Sequence, residues 1–71
     1  MIIYKRELDA DDLDNLNREE ELIYYKSDEI AITINIVKDS FIVRKKRISD
    51  NELLQESFFK TIREVIAFIN D

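Results

Sequence analysis

The chain has 71 residues and a net charge of −5, and it contains no Cys, His, Gly or Pro. This length allows one small domain spanning residues 1–71. Without Cys and His, disulfides, His-dependent triads and the usual structural zinc sites are excluded, and without Gly so are the glycine-rich phosphate loops. We therefore expect a non-catalytic acidic domain that binds no metal or cofactor.

Hydropathy argues against a membrane protein. The unbroken apolar runs are far shorter than the about 20 residues that a spanning helix needs. Apolar residues precede the first charges at the amino terminus, the reverse of a secretory signal. We expect a cytoplasmic protein without membrane contact. Because the core of so short a chain supplies only about 3–5 kcal/mol, homodimerisation would be a useful source of further burial.

The amino-terminal part predicts a strand followed by a short helix. Residues 2–8 alternate loosely between apolar and polar, which is typical of a strand. Asp9 is placed to cap a helix, with Asp12 three residues later, as in a capping box. We expect this helix to end near Leu16 or Asn17.

The middle of the chain predicts further strands. Residues 20–26 fit either a longer first helix or a strand, and the Ile and paired Tyr favour the strand. Residues 30–37 place four Ile on one face by two-residue periodicity. We expect a turn at 38–40, after which residues 41–48 pair back as a hairpin.

The carboxy-terminal part predicts one long helix. Residues 49–52 read Ser-Asp-Asn-Glu, a capping-box sequence. Five apolar residues then recur at helical spacing: Leu54, Phe58, Ile62, Val65 and Ile69. The predicted fold class is α+β, a small antiparallel sheet in the order β-α-β-β-β-α packed on this C-terminal helix, which begins near residue 50.

Within this predicted helix, the residues from Glu52 to Lys60, ELLQESFFK, resemble the first helix of the small sporulation-checkpoint inhibitors of histidine kinases. The resemblance covers nine of the 71 residues, and that family is a helical hairpin with no sheet to match residues 1–48. It implies no family membership, but it favours a protein that binds through a helix face over an enzyme.

The segment 9–21 is the first candidate for function, because it holds seven acids and one base, Arg18. One interpretation is a solvated helix face whose acids suit the positive end of the helix dipole. The other is a surface that steers a basic partner protein, with carboxylates standing in for phosphates. The candidate partner-binding acids are Asp11, Asp12, Asp14, Glu19 and Glu20. A calcium loop is not expected, because Leu13 occupies a ligand position and the required Gly is missing.

The basic run 44–47 is the second candidate. Four successive bases in a strand point to both faces of the sheet, so we interpret this run as an edge strand whose charges block edge-to-edge pairing. A three-residue loop at 38–40 would place Ile34 opposite Arg44. Shifting the strand register by one residue would place Lys45 opposite Ile34 instead. The alternative is a nucleic-acid contact through Arg44, Lys45, Lys46 and Arg47, although a net charge of −5 opposes it.

The third candidate is the outer face of the predicted last helix. Phe59 and Ile66 lie beside the main apolar stripe, where a thin sheet would leave them uncovered. Ordinary burial and a protein interface both explain them.

Together these features predict a small acidic protein-binding domain, an inhibitor or adaptor of the kind that phages and mobile elements encode. It would act through segment 9–21, the last helix, or both, on a partner with a basic surface or on a second copy of itself. The alternatives are a nucleic-acid-binding module that uses residues 44–47 and a homo-oligomeric structural subunit.

Overall fold

The computed structural model describes residues 1–70 and contains a five-stranded sheet and two helices. In chain order the elements are β1 (Ile2–Lys5), α1 (Ala10–Asp14), β2 (Glu21–Tyr25), β3 (Ile30–Val37), β4 (Ser40–Arg47), β5 (Glu52–Phe59) and α2 (Ile62–Ile69). The strands lie side by side in the order β1-β2-β3-β4-β5. The predicted α+β class is confirmed, whereas the predicted long helix is wrong, because its first half is a strand.

The sheet is mixed rather than wholly antiparallel. β1 pairs parallel with β2, with Ile3 opposite Leu22, while the other three strand pairs are antiparallel. Parallel neighbours cannot be joined by a tight turn, so the chain crosses over between them through α1. A strand is confirmed for residues 20–26, with the bounds Glu21–Tyr25.

A tight hairpin joins β3 to β4. Val37 pairs with Ser40, so the loop has two residues, one fewer than predicted. Ile34 therefore lies opposite Val43, and Ile32 opposite Lys45, which differs from both predicted registers. Lys38 in the loop has a φ of 57°, the positive value that two-residue hairpin loops require.

Both helices cover the same face of the sheet, which we call the helix face. Leu22, Ile32, Ile34 and Val43 lie side by side on this face by register and are at most 1% exposed. Leu13 of α1, Leu16 in the loop after it, and Val65 and Ile69 of α2 complete the core cluster. The opposite face carries neither helix, and we call it the open face.

The capping box at the start of α1 is confirmed. The Asp12 N–H donates to the Asp9 carboxylate and the Asp9 N–H donates to the Asp12 carboxylate, each at 3.1 Å. The helix ends at Asp14, however, with Asn15 as its C-cap, so it is shorter than predicted.

The capping box predicted at residues 49–52 does not form. Asp50 accepts the N–H of Glu52 at 3.1 Å, and Asn51 takes a φ of 57°, so these residues make the turn between β4 and β5. The last helix begins only after Thr61, whose hydroxyl accepts the N–H of Glu64 at 3.2 Å. The resemblance of residues 52–60 to a helix is accordingly not reflected in the fold.

Candidate interaction surfaces

The open face carries alternate side chains of all five strands. Three rows run across the sheet by register, and their members are Ile2, Glu21, Asn35, Ile42 and Phe58, then Tyr4, Ile23, Thr33, Arg44 and Glu56, then Tyr25, Ala31, Lys46 and Leu53. Most of the described residues on this face are apolar, although no helix covers them. The face therefore resembles a layer interface more than a solvated sheet surface.

The exposed large hydrophobic side chains concentrate on this face. Phe58 is 64% exposed and Tyr4 60%, and three more exposed side chains share the face, namely Ile2, Val37 and Leu53. The remaining exposed large hydrophobics among residues 1–70 are Met1, Ile48 and Leu54, which lie at the terminus, in a loop and at a strand irregularity. Clustered exposed apolar groups mark a contact surface.

Aromatic stacking orders one side of the open face. The rings of Tyr4 and Tyr25 are parallel within 7°, with centroids 6.2 Å apart. Tyr4 lies beside Ile23 in the β1–β2 register, which makes Tyr25 its diagonal neighbour. Each ring combines an apolar body with a phenolic hydroxyl, and tyrosine is enriched at protein interfaces for this reason.

The charges of the open face balance. Arg44 and Glu56 form an ion pair at 2.6 Å across β4 and β5. Lys46 and Glu21 contribute one further charge of each sign on the same face. A balanced, mostly apolar surface lacks the positive field that nucleic-acid binding depends on.

The basic run is divided between the two faces, and its interpretation as an edge strand is wrong. β4 lies between β3 and β5, because residues 52–59 form a strand that covers it. Lys45 is on the helix face, while Arg47 pairs with Asp50 at 3.1 Å and with Glu52 at 2.7 Å. The pKa of Asp50 is lowered chiefly by the N–H of Glu52 and also by Arg47. The four bases therefore form no single patch for a phosphate backbone.

The acidic segment lies on the helix layer and at the β1 side of the sheet. Two of its five candidate acids serve local structure. Asp12 is part of the α1 cap and pairs with Lys5 at 3.2 Å; the Asp9 N–H is the main cause that lowers the Asp12 pKa, and Lys5 adds to it. Glu20 accepts the N–H of Asn17 at 2.9 Å.

The other three candidates, Asp11, Asp14 and Glu19, are exposed, and their carboxylates have no ion pair among residues 1–70. Arg18, the base of this segment, points instead toward Asp39 at 3.9 Å. Of the five acids predicted to bind a partner, three are therefore exposed without an ion pair in residues 1–70, and their role in binding stays a prediction.

Phe59 and Ile66 are not on the outer face of a shared helix. Phe59 is on β5, on the helix face, and its ring lies 5.5 Å from that of Phe68. Ile66 is on α2, and both residues are half-buried against the core cluster. The apolar stripe predicted for one helix is divided between β5 and α2, so these two side chains fill the core margin. Phe58, the residue before Phe59, is the exposed one.

Within residues 1–70, no group of three or more acidic side chains is arranged to hold a metal ion. The helices in this part of the chain are too short and too polar to cross a membrane. Comparisons with protein-family models, with curated proteins and with solved structures found no match to this chain. The surfaces described above are therefore the basis for any functional assignment.

Proposed function

We propose that this chain is a non-catalytic protein-binding domain, an inhibitor or adaptor, that docks its partner on the open face of the sheet. The observation that carries the proposal is the concentration of exposed hydrophobic side chains on the one sheet face that has no helical cover. A partner that buries Tyr4, Ile2 and Phe58 removes apolar area from water, the main favourable term in association.

The charge pattern supports a protein partner over nucleic acid. Arg44 is neutralised by Glu56, and the charge of Lys46 is balanced on the same face by that of Glu21. Binding through this face should therefore vary little with salt, whereas phosphate contacts weaken steeply as salt rises. The proposal includes a cytoplasmic location and an inhibitory role.

The acidic segment supplies a second candidate mode. Asp11, Asp14 and Glu19 project from the helix layer without ion pairs in the described chain and would favour a basic partner. This surface acts mainly on the association rate and is sensitive to salt. Because none of these three acids belongs to the rows of side chains on the open face, the two modes can be tested separately.

The test compares two variants with the wild-type chain in capture from the native host lysate, read by mass spectrometry. Ile2→Ser/Tyr4→Ser removes apolar contact on the open face, and the matched control Asp11→Asn/Asp14→Asn/Glu19→Gln leaves that face unchanged. We expect the control to retain the wild-type partner and the open-face variant to lose it, at both low and high salt. Thermal melts establish that both variants fold.

The reverse result, a partner that is retained by the open-face variant and lost by the acid variant, would assign binding to the acidic segment. Captured material that disappears on nuclease treatment would favour the nucleic-acid alternative.

A further inference from the structure

The outer edge of β5 presents unpaired backbone groups at known positions. The N–H of Ile48 donates to the C=O of Glu29 at 2.8 Å. Since hydrogen-bonded pairs alternate along an antiparallel ladder, this bond fixes which residues of β4 direct their backbone toward β3. The intervening residues, among them Val43, face β5 and pair with residues such as Ser57. The N–H and C=O of Glu56 and Phe58 therefore point away from the sheet.

The carboxy-terminal half of this edge lacks the usual protection against pairing. Natural sheets protect their edges with proline, with unpaired charges or with bulges. The register shift in the β4–β5 pair lies between Lys45 and Lys46, so it disturbs only the amino-terminal half of β5. Beyond it the strand is regular, and Arg44 neutralises Glu56. Phe58 is 64% exposed at the same place.

We infer that the occupant of this edge is a second copy of the chain, paired antiparallel about a two-fold axis at Phe58. In this register the two Phe58 side chains lie opposite each other on the open face. Extending the ladder one residue past the end of β5 at Phe59 brings each Glu56 opposite Lys60 of the partner subunit. This gives two symmetric pairs of opposite charge, in which the Glu56 carboxylate also keeps its contact with Arg44.

Charge selects this register from its neighbours. Moving the axis to Ser57 places Glu56 opposite Phe58 and separates it from the base. Moving the axis to Glu56 places two carboxylates opposite each other and brings the irregular part of β5 into the interface. Only the axis at Phe58 matches outward backbone groups with each other and acid with base.

The assembly has a continuous ten-stranded sheet with all four helices on one side. Its two open faces join across the axis into one surface centred on the Phe58 pair. This inference does not rest on the proposed function, since it concerns the edge of β5 and needs no other protein.

Reciprocal charge reversal tests the register. In a homodimer, Lys60→Glu places a second carboxylate opposite Glu56, and Glu56→Lys places two bases opposite each other. We expect each variant alone to associate about tenfold more weakly than the wild type, or worse, in sedimentation equilibrium. The equimolar mixture restores acid–base pairing across the axis and should form a heterodimer more strongly than either variant associates alone. Circular dichroism of each variant shows whether it folds.

The wild-type chain gives a second, independent measurement. Amide hydrogen exchange at Glu56 and Phe58 should slow as protein concentration rises, while exchange at exposed loop amides such as Asp28 stays constant. A wild type that sediments as a monomer up to hundreds of micromolar, with exchange at Phe58 independent of concentration, would overturn the inference. So would a mixture of the two variants that stays as weakly associated as either alone.

Discussion

Replacing Lys38 with glycine should stabilise this protein. Lys38 is in the two-residue loop between β3 and β4 and has a φ of 57°, and it is one of two residues with positive φ in the described chain. A side chain with a Cβ atom is strained in this region, whereas glycine adopts it without steric cost. The chain contains no glycine at all, so this hairpin turn is made without its most favourable residue.

The expected magnitude is the difference between two opposing effects. Relief of the left-handed strain is worth about 1–2 kcal/mol, and the extra freedom that glycine gives the unfolded chain costs about 0.5–1 kcal/mol. The free energy of unfolding should therefore rise by about 0.5–1 kcal/mol. For a domain of this size each kcal/mol shifts the melting temperature by roughly 4–8 °C, so Lys38→Gly should melt about 2–8 °C higher.

Asp39→Gly is the matched control, because Asp39 is the other residue of the same loop and does not have a positive φ. It gains only the flexibility cost, so its free energy of unfolding should fall by about 0.5–1 kcal/mol. Thermal and urea unfolding of both variants measure the two changes. If Lys38→Gly and Asp39→Gly change stability by the same amount in the same direction, the backbone strain at Lys38 is refuted.

Three further outcomes are expected. Ile34→Val should lower the free energy of unfolding by about 0.5–1.5 kcal/mol because Ile34 is fully buried, whereas Val37→Ala on the open face should change it by less than about 0.5 kcal/mol; urea titrations compare the two. Asp9→Ala should cost about 1 kcal/mol in the same assay, since it removes the α1 cap. Folding lowers the pKa of Asp12 from its ordinary value of 3.8, so the Asp12 carboxylate stabilises the folded state above pH 3.8. This stabilisation is lost as the pH falls from 3.8 through the lower folded-state pKa. Over this pH range, the urea midpoint of Asp12→Asn should fall less than that of the wild type.

The strands whose pattern is local could be predicted from the sequence. Residues 30–37 form a strand with the bounds and faces that the alternation of Ile predicts, because one face meets the helices along most of its length. The α1 cap was also predictable, since Asp9 and Asp12 satisfy each other's backbone over three residues. In both cases the interactions that decide the structure lie within a few residues of each other in the chain.

The parallel pairing of β1 and β2 was not predictable in the same way. The sequences of residues 2–5 and 21–25 do not determine which strands pair. The pairing depends on how α1 packs Leu13 against the common core. The candidate acids show the same limit. Composition identified the acidic segment, but only the fold shows that Asp12 and Glu20 bond to backbone N–H groups while Asp11 does not.

The strand β5 was not predicted, but the sequence contained one indication of it, namely acids in residues 52–59 that complement the bases of β4. Arg44 and Arg47 are three residues apart on β4, and Glu56 and Glu52 pair with them from β5 at 2.6 and 2.7 Å. A basic run in an internal strand requires acids on its neighbour, and residues 52–59 supply two of them. The same pairs neutralise two of the four bases in the positive run.

The start of the last helix was misplaced because two capping sequences compete. Residues 49–52 and 61–64 both place a hydroxyl residue three positions before Glu, and the apolar spacing from Leu54 to Ile69 continues through both. A helix from residue 50 would leave β4 as an edge with two unpaired arginines and would remove the ladder hydrogen bonds of β5. Pairing β5 with β4 neutralises both arginines and places Phe59 against Phe68, while Thr61 still caps an amphipathic helix. The longer helix would satisfy only the hydrogen bonds of its own backbone. Strand pairing therefore decides which of the two capping sequences begins the last helix.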